Sequence, residues 1–427
     1  EVVGASATSL LISDGTGIIR ILRNTLPTFA VGDVVEVSGE IEFKQELTRF
    51  RSASVVKFLE RKSRFAYPTP KTIDAAGFAN YVKAPKIEYV TYEGKLTQSG
   101  TNYNIIISDE TIQPGLTNIL YVNPDLLNKD VVVTGYLAGV SGSSIKYPNT
   151  FVTSVVAKEA TNTVTPAGVL HYIDGGDYEA EGVVSAVYTR GFMLSDCSGS
   201  ILVYKNTAPE EKVGQIVRVK GTTSVRNGVK QFGNKNLEVT VLVNDPTDIP
   251  AKMVPQVLTA AEFDALAVTP RVVYATIEGQ LSIEDSGKGF NLLVSGASTT
   301  VSISYVDESL FDMSLNGKTV KITGFLLDYN NGRVAMMYSK VEESVATASA
   351  ARAITRASDV EPNTSALYRY NGSTWTVYNE ESGANIVVMQ PSDYVSVGSS
   401  SLSKPDEVLP VYLKNSFPYA QAGNIRT

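Results

Sequence analysis

The sequence predicts a mainly β fold: four small barrels in two duplicated pairs, followed by a small α+β domain. Internal repetition is the first observation behind this prediction. Two runs that end on glycine, one around Asp14 and one before Gly39, recur around Asp196 and before Gly221, each 182 residues later. A fixed period without a gap indicates a duplicated structural unit.

A second repeat indicates that the duplicated unit contains two domains. The segment from Ala75 to Pro85 recurs from Ala260 to Pro270, 185 residues later. Composition is the third observation: 22 Tyr and 33 Gly in 427 residues, with 43% hydrophobic and 19% charged residues. These values suit an all-β chain that is long enough for several cores.

Each repeat unit reads as five short strands, and the third unit shows them most clearly. The expected strands cover residues 179–188, 191–194, 200–204 and 216–221, with a fifth strand after the hairpin. Asp196 precedes a predicted tight turn because its carboxylate accepts backbone hydrogen bonds and the following Gly199 permits positive φ. Asn227-Gly228 predicts a type I′ hairpin turn. Five strands in this order indicate a closed Greek-key barrel of the OB type.

Short helices are expected between the barrels. Residues 258–266 have Thr259 as an N-cap and apolar residues at helical spacing, and residues 72–78 are their counterpart in the first pair. Residues 165–173 are the equivalent segment before the third barrel, with Pro166 at the first helical position. We expect these helices to plug barrel ends or to fill joints between barrels.

The repeats and the change in composition near residue 345 predict the domain boundaries. The expected domains are barrel 1 at 1–70, barrel 2 with its helix at 71–160, barrel 3 with its helix at 161–248, barrel 4 with its helix at 249–345, and a linker with the α+β domain at 346–427. Glu1 aligns within one residue with Gly182, inside a predicted strand. The chain is therefore expected to begin partway through barrel 1, with any signal peptide or lipid-anchor cysteine upstream. The last domain is likewise expected to be incomplete.

Three runs of the third unit resemble a known family. They are GFMLSDCSGSILVY at 191–204, VGQIVRVKG at 213–221 and KQFGNKNLEV at 230–239. These runs resemble the tandem OB-fold repeats of secreted and surface proteins, of the lipoprotein type, from Bacteroidetes-like bacteria. The resemblance covers residues 1–345 in four copies, and the C-terminal segment resembles the small α+β domain that closes such proteins. It implies an extracellular or outer-membrane surface location, with the periplasm as an alternative.

Residues suited to catalysis are sparse. His171 is the one histidine, so a Ser-His-Asp triad or a multi-histidine metal site would have to include it. Its place in a predicted helix favours packing. Cys197 is the one cysteine, which excludes an intramolecular disulfide, and we expect a structural thiol. Because phosphate-binding glycine motifs are also absent, we expect no cofactor and no enzyme activity.

The acidic segment before the third barrel is a weak candidate for a cation site. Asp174, Asp177 and Glu179 supply oxygen ligands of the kind that Ca²⁺ prefers. The segment lacks the spacing of an EF-hand, and a loop between helix and strand explains it equally well.

Ligand-binding candidates follow from the OB architecture. Such barrels bind oligonucleotides or oligosaccharides on the face of strands two and three with the flanking loops. The expected contact residues of the third barrel are Tyr188, Tyr204, Lys205, Arg226 and Gln231. Roughly half of the aromatics on such faces are expected to be core or joint residues instead.

A second aromatic cluster lies in the C-terminal segment. Tyr370, Trp375 and Tyr378 alternate along a predicted hairpin with Asn-Gly at its turn. One face of this hairpin would offer a stacking platform for a sugar, and the alternative is cross-strand packing of the rings.

The formal charge of −7 argues against a general attraction to phosphate backbones. The sequence therefore predicts a non-catalytic cell-envelope binding or scaffolding protein with a glycan or protein partner. Single-stranded nucleic-acid binding is one alternative, and an accessory part of a polysaccharide hydrolase is another, since acid pairs carry glycoside hydrolysis. No apolar run is long enough to span a bilayer, so membrane attachment is expected only through an unseen N-terminal lipid anchor. Because the pair is the duplicated object, sites are expected first at the joints between barrels.

Overall fold

The computed structural model describes residues 1–26, 28–108, 111–117, 119–159, 163–284, 289–304, 306 and 311–344, together with the backbone of three short strands near the C-terminus. The chain divides into two compact units, Glu1–Ser344 and Val345–Thr427. The first unit contains three closed OB-like barrels, barrels 2 to 4, preceded by barrel 1, whose sheet is not closed in the described residues. Among the described residues, no helix is both long and apolar enough to cross a membrane.

Barrel 1 contains the first seven strands. They are β1 (Val2–Ser6), β2 (Ser9–Ser13), β3 (Ile18–Leu22), β4 (Asp33–Ser38), β5 (Ile41–Lys44), β6 (Leu47–Phe50) and β7 (Val55–Arg61). Five of them form one sheet in the order β1-β2-β3-β6-β5, and β4 pairs with β7 as a separate ribbon. Within the described residues β1 and β4 do not pair, so the sheet of barrel 1 is open at this point.

Barrel 2 is a closed five-stranded barrel with a helix at its start. Its elements are β8 (Lys71–Thr72), α1 (Ala75–Lys83), β9 (Glu88–Ser99), β10 (Asn102–Ile106), β11 (Gly115–Leu116), a 3₁₀ turn (Pro124–Leu126), β12 (Asp130–Ser141) and β13 (Tyr147–Ala157). The strands follow one another as β9-β10-β11-β13-β12, and β12 pairs with β9 to close the barrel.

Barrel 3 repeats this closed arrangement. Its elements are a 3₁₀ turn (Val169–His171), β14 (Asp177–Tyr188), β15 (Gly191–Asp196), β16 (Gly199–Tyr204), β17 (Ile216–Arg226), β18 (Val229–Phe232) and β19 (Glu238–Val243). The ring runs β14-β15-β16-β18-β17 and closes where β17 pairs with β14.

Barrel 4 has the same strand order as barrel 2. Its elements are a 3₁₀ turn (Pro250–Lys252), β20 (Gln256–Val257), α2 (Ala260–Val268), β21 (Val273–Ile283), β22 (Phe290–Val294), β23 (Thr300–Ile303), a second 3₁₀ turn (Met313–Leu315), β24 (Thr319–Asn330) and β25 (Arg333–Glu343). The ring β21-β22-β23-β25-β24 closes through the pairing of β24 with β21. The predicted fold class, a mainly β chain of tandem OB-like barrels with few helices, is therefore confirmed.

The turn chemistry predicted from the sequence is present. Asn227 and Gly228 have φ values of 46° and 84°, as a type I′ turn requires, and they join β17 to β18. The carboxylate of Asp196 accepts hydrogen bonds from the backbone N–H of Ser198 (2.7 Å) and of Gly199 (3.2 Å). The sharp turn between β15 and β16 is thus stabilised by its own first residue.

The helices plug the barrels of which they are part. Phe78 of α1 is 1% exposed in the core of barrel 2, and Phe263 of α2 is fully buried in the core of barrel 4. The expectation of a helix over 165–173 is wrong in extent, since only the 3₁₀ turn forms there. The backbone N–H of Ala167 donates to Asp196 (2.8 Å) and that of Gly168 to the Ser198 hydroxyl (2.8 Å). Both backbone amides therefore donate to side chains of barrel 3 instead of to carbonyl groups within a helix.

The second unit is described by three short strands. They are β26 (Tyr368–Tyr370), β27 (Trp375–Val377) and β28 (Ile425–Arg426). β26 and β27 pair in antiparallel register with Tyr370 opposite Trp375, which confirms the predicted hairpin. Tyr378 lies outside the described residues.

Candidate ligand-binding face

The strand-two and strand-three face of barrel 3 is covered by barrel 4. Met193 of β15 and Leu202 of β16 are 0% and 5% exposed. They belong to one apolar cluster with Phe325 of β24 and Met337 of β25. A face on which OB barrels bind ligands is used here to join two barrels.

The joint between barrels 1 and 2 is built in the same way. Leu11 and Arg20 of barrel 1 lie 182 positions before Met193 and Leu202, and both are buried against barrel 2. Leu11 clusters with Tyr136 and Phe151, and the guanidinium of Arg20 lies 4.9 Å from the ring centroid of Phe151.

The second barrel of each pair contributes equivalent aromatic pairs. Tyr89 and Tyr136 of barrel 2 have ring centroids 4.6 Å apart, and Tyr274 and Phe325 of barrel 4 have centroids 4.8 Å apart. Tyr274 follows Tyr89 by the same 185 positions that relate the two repeats. The duplicated sequence therefore specifies one joint twice.

One predicted ligand-binding residue, Tyr188, lies at the joint, and a second, Gln231, lies next to the joint residue Leu202 in the sheet of barrel 3. Tyr188 is 6% exposed, and its hydroxyl donates to the backbone oxygen of Met337 in barrel 4 (3.1 Å). Gln231 lies opposite Leu202 in the parallel pairing of β16 with β18 and is half-buried. Tyr188 is thus packed between barrels rather than presented to solvent.

The other three predicted residues have contacts within the protein. Arg226 lies 3.8 Å from the carboxylate of Asp328, so the hairpin tip of barrel 3 reaches barrel 4. Lys205 forms an ion pair with Glu211 at 2.9 Å, and the hydroxyl of Tyr204 accepts a hydrogen bond from Arg190 at 3.2 Å. The five residues therefore divide between a joint and the surface of barrel 3.

The acidic segment before barrel 3 also has protein partners. Asp177 accepts a hydrogen bond from the Thr222 hydroxyl (2.5 Å), and Glu179 pairs with Arg218 (3.1 Å). The backbone oxygen of Asp174 accepts from a tyrosine hydroxyl at 2.9 Å. In the part of the chain that the structure describes, no group of three His, Cys, Asp or Glu side chains could hold a metal ion. These contacts do not favour a shared cation.

His171 and Cys197 both have environments that suppress reactivity. Nε2 of His171 lies 2.8 Å from the backbone oxygen of Ser200, and burial lowers the pKa of His171 to about 4. Burial likewise raises the pKa of Cys197 to about 12. A neutral imidazole that donates to a carbonyl and a protonated thiol are typical of packing residues.

A cavity of about 110 Å³ lies where barrels 1, 2 and 3 meet. Tyr67, Asn123, Glu181 and Asp196 are among its lining residues. Asp196 already accepts the hydrogen bonds of its own turn, and Glu181 accepts from Arg218 at 2.7 Å and from Asn123 at 3.3 Å. The carboxylates of the cavity wall are therefore occupied by neighbouring donors.

Barrel 4 presents the exposed counterpart of the faces that the joints cover. We call it the barrel 4 face, and it consists of two rows of residues that are neighbours across β21, β22, β23 and β25. The rows are Gln280, Leu293, Thr300 and Arg333, and Ser282, Asn291, Ser302 and Ala335. All eight are half-buried or exposed, and Leu293 is 50% exposed. The face is polar, with one cation and one large apolar side chain.

Hydrogen bonds among its side chains stabilise the barrel 4 face and leave it accessible to solvent. Arg333 donates from Nη1 to the Asn291 side-chain oxygen at 2.9 Å, and the Asn291 amide donates to Glu284 at 3.5 Å. In barrel 2 the corresponding row is polar as well but mostly buried, with Asn104 9% and Asn149 2% exposed. The polar row is therefore exposed on barrel 4 and mostly buried on barrel 2.

Sequence reasoning missed the barrel 4 face, although a signal was present. In barrel 3 the strand residues Phe192, Met193 and Leu194 are continuously apolar, as in strands that are buried on both faces. In barrel 4 the run from Gln280 to Ile283 alternates polar and apolar, as a strand with one solvated face does.

Comparisons with known proteins leave the family open. Neither the protein-family models nor the curated proteins contain a match. A murine DNA-binding protein solved with double-stranded DNA is 12% identical, with 36% of this chain and 99% of that chain covered and a TM-score of 0.17. A multidomain protein with nucleic acid binding domains from Streptococcus pneumoniae is 9% identical, with 59% and 73% covered and a TM-score of 0.13. Similarities at this level support no functional inference for this chain.

Proposed function

We propose that this protein is a non-catalytic binding protein in which barrels 1 and 3 are structural partners and barrel 4 carries the ligand-binding face. The observation that supports the proposal is the composition of the two exposed rows. OB barrels bind on this face, and here it remains accessible on barrel 4 while the joints cover it on barrels 1 and 3.

The chemistry of the face favours an uncharged, hydroxyl-rich polymer such as a glycan. Gln280 and Asn291 offer amides, and Thr300 offers a hydroxyl, so each both donates and accepts hydrogen bonds. Leu293 provides an apolar surface for the C–H face of a sugar ring. A single-stranded nucleic acid calls instead for a basic groove with stacking aromatics, whereas these rows contain Arg333 as their one charge.

A glycan array followed by calorimetry with the full chain tests the proposal. Asn291→Ala is expected to weaken glycan binding roughly three- to tenfold, since it removes one or two neutral hydrogen bonds. Thr240→Ala is the matched control, because Thr240 is an exposed strand residue on barrel 3. Equal affinities for the two variants would rule out the barrel 4 face as the site.

The same titrations distinguish the alternatives. A glycan complex of this kind is expected to be insensitive to salt, whereas an oligonucleotide complex weakens steeply as salt rises. Hydrolysis of the bound glycan would replace the binding function with a catalytic one. We also propose a cell-envelope location, and this part of the proposal rests on the family resemblance alone. Membrane fractionation of the native organism tests it.

A further inference from the structure

The cavity where barrels 1, 2 and 3 meet is large enough for a small ligand. We call it the three-barrel cavity; Ala5 of barrel 1, Val152 of barrel 2 and Glu181 of barrel 3 are among the residues that line it. Its volume is about 110 Å³, and it is partly open to solvent. Because an apolar cavity of about 150 Å³ holds one benzene molecule, this one has room for about four or five non-hydrogen atoms.

The three-barrel cavity is lined by both aliphatic and polar side chains. Its polar groups include two carboxylates, Glu181 and Asp196, and two tyrosines, Tyr67 and Tyr121. A lining of this kind suits a ligand with a short carbon chain and one polar head group. The aliphatic part of the wall consists of Ala5, Leu126, Val152, Val155, Val164 and Pro166.

Glu181 uses only one of its two carboxylate oxygens for contacts within the protein. Its side chain is 10% exposed, and Oε1 accepts hydrogen bonds from Arg218 (2.7 Å) and from Asn123 (3.3 Å). Among the described residues no donor bonds to Oε2. A buried carboxylate oxygen without a donor costs free energy, so a donor on a ligand would be stabilised at this atom.

The charged groups at the three-barrel cavity carry a net negative charge. Arg218 forms ion pairs with both Glu179 (3.1 Å) and Glu181 (2.5 Å), so one guanidinium faces two carboxylates. Asp196 is a further carboxylate, and the hydrogen bonds that it accepts come from backbone N–H groups and a serine hydroxyl, which are uncharged. These charges disfavour an anionic ligand and favour a cationic one.

Tyr67 and Tyr121 add two uncharged hydroxyls to the cavity wall. Burial raises the pKa of both side chains well above the usual value for tyrosine, and the negative charge of Asp196 adds to both shifts. Both hydroxyls therefore stay protonated at neutral pH. Among the described residues neither hydroxyl has a hydrogen-bond partner. Each oxygen therefore has lone pairs for a donor, and each ring is a surface on which a cation is stabilised.

We propose that the three-barrel cavity binds the ammonium group of a small primary amine. The ammonium donates to Oε2 of Glu181 and to the tyrosine hydroxyls, and the short carbon chain packs against the aliphatic wall. An ammonium supplies three donors and one positive charge, which match the unpartnered oxygen and the net charge of the wall. The cavity is separate from the barrel 4 face, so this site goes beyond the proposed glycan binding and does not depend on it.

Calorimetry with the full chain and n-propylammonium chloride tests the proposal. The matched probe is 1-propanol, which has the same number of non-hydrogen atoms and no charge, and the chloride concentration is kept constant. We expect the amine to bind at least about tenfold more tightly than the alcohol, because it donates to a charged acceptor. Equal affinities would overturn the proposal. Binding of neither probe would overturn it as well and would assign the cavity to ordered water.

Glu181→Gln and Glu179→Gln are a matched pair of variants. Both carboxylates contact Arg218, and of the two only Glu181 lines the cavity. Glu181→Gln should weaken n-propylammonium binding at least about tenfold, whereas Glu179→Gln should change it less than about threefold. Equal losses would show that the amine responds to the general negative field and would overturn the proposal. Circular dichroism checks the fold of both variants, and the comparison of amine with alcohol decides the question if Glu181→Gln does not fold.

Discussion

Replacement of Phe325 by alanine is expected to weaken the joint between barrels 3 and 4. Phe325 is 1% exposed and clusters with Met193 and Leu202 of barrel 3. Its ring centroid lies 4.8 Å from that of Tyr274. Phe325→Ala would therefore remove an aromatic ring that contacts residues of both barrels.

The size of the effect follows from burial. Phenylalanine-to-alanine changes at fully buried positions cost about 3–5 kcal/mol, because transfer energy is lost and a cavity remains. The cavity would lie between two barrels, which are able to move closer together. We therefore expect a loss of about 3 kcal/mol in the free energy of unfolding, at the lower end of that range.

A double-mutant cycle shows whether this energy belongs to the joint. Phe325→Ala is combined with Met193→Ala, and urea denaturation of the four proteins is followed by circular dichroism. Residues that share one cluster couple by about 0.5–3 kcal/mol. Leu292→Ala is the matched control, because Leu292 is fully buried in the separate core of barrel 4. Its coupling with Met193→Ala is expected to stay below about 0.5 kcal/mol.

Two results would refute this reasoning. A loss below about 1 kcal/mol for Phe325→Ala would show that the joint contributes little to stability. Equal coupling in the Phe325 and Leu292 cycles would show that barrels 3 and 4 unfold as one core, without a distinct joint.

Three further predictions concern single residues. Burial lowers the pKa of His171 from 6.5 to about 4, and Arg61 and Lys230 also disfavour its cation. The unfolded chain therefore binds the proton more readily than the folded chain between these pH values. The stabilisation that neutral His171 contributes is fully present above pH 6.5, and the free energy of unfolding falls by about 3 kcal/mol towards pH 4. Urea denaturation at both pH values should show a smaller decrease in the free energy of unfolding for His171→Asn than for the original chain. An equal decrease would show that His171 does not cause this pH dependence. Thr259→Ala removes the capping box of α2 and should cost about 1 kcal/mol in thermal or urea unfolding, while Thr259→Ser should cost less. Cys197, with its raised pKa, should react with a thiol reagent at pH 8 only after unfolding, and rapid labelling of the native chain would disprove this.

Local signals made much of the fold predictable. The Asn227-Gly228 turn and the Thr259 cap depend on residues within four positions of one another, and both form as expected. The repeats gave the number and order of the barrels because duplicated sequence folds into duplicated structure. The segment at 165–173 was mispredicted because barrel 3 binds its amides, which is a contact distant in sequence.

The candidate site was less predictable, because alternation within a strand shows that one face is apolar without showing what covers it. Tyr188 was a reasonable ligand contact on the strands of an isolated barrel, and it became a joint residue once barrel 4 lay against barrel 3. The same packing left Asn291 and Thr300 at the surface of barrel 4.

Sequence alone specified most of the elements: the strand and turn pattern, the Thr259 cap, and the tandem barrels with their duplication in pairs. These features arise from short-range chemistry and from copied sequence. The tertiary structure decided which barrel faces are buried in joints and which face remains exposed on barrel 4. It also set the low pKa of His171, because desolvation depends on every segment that packs around a group. Contacts between distant segments determine burial, and burial determines which side chains are left to bind a ligand.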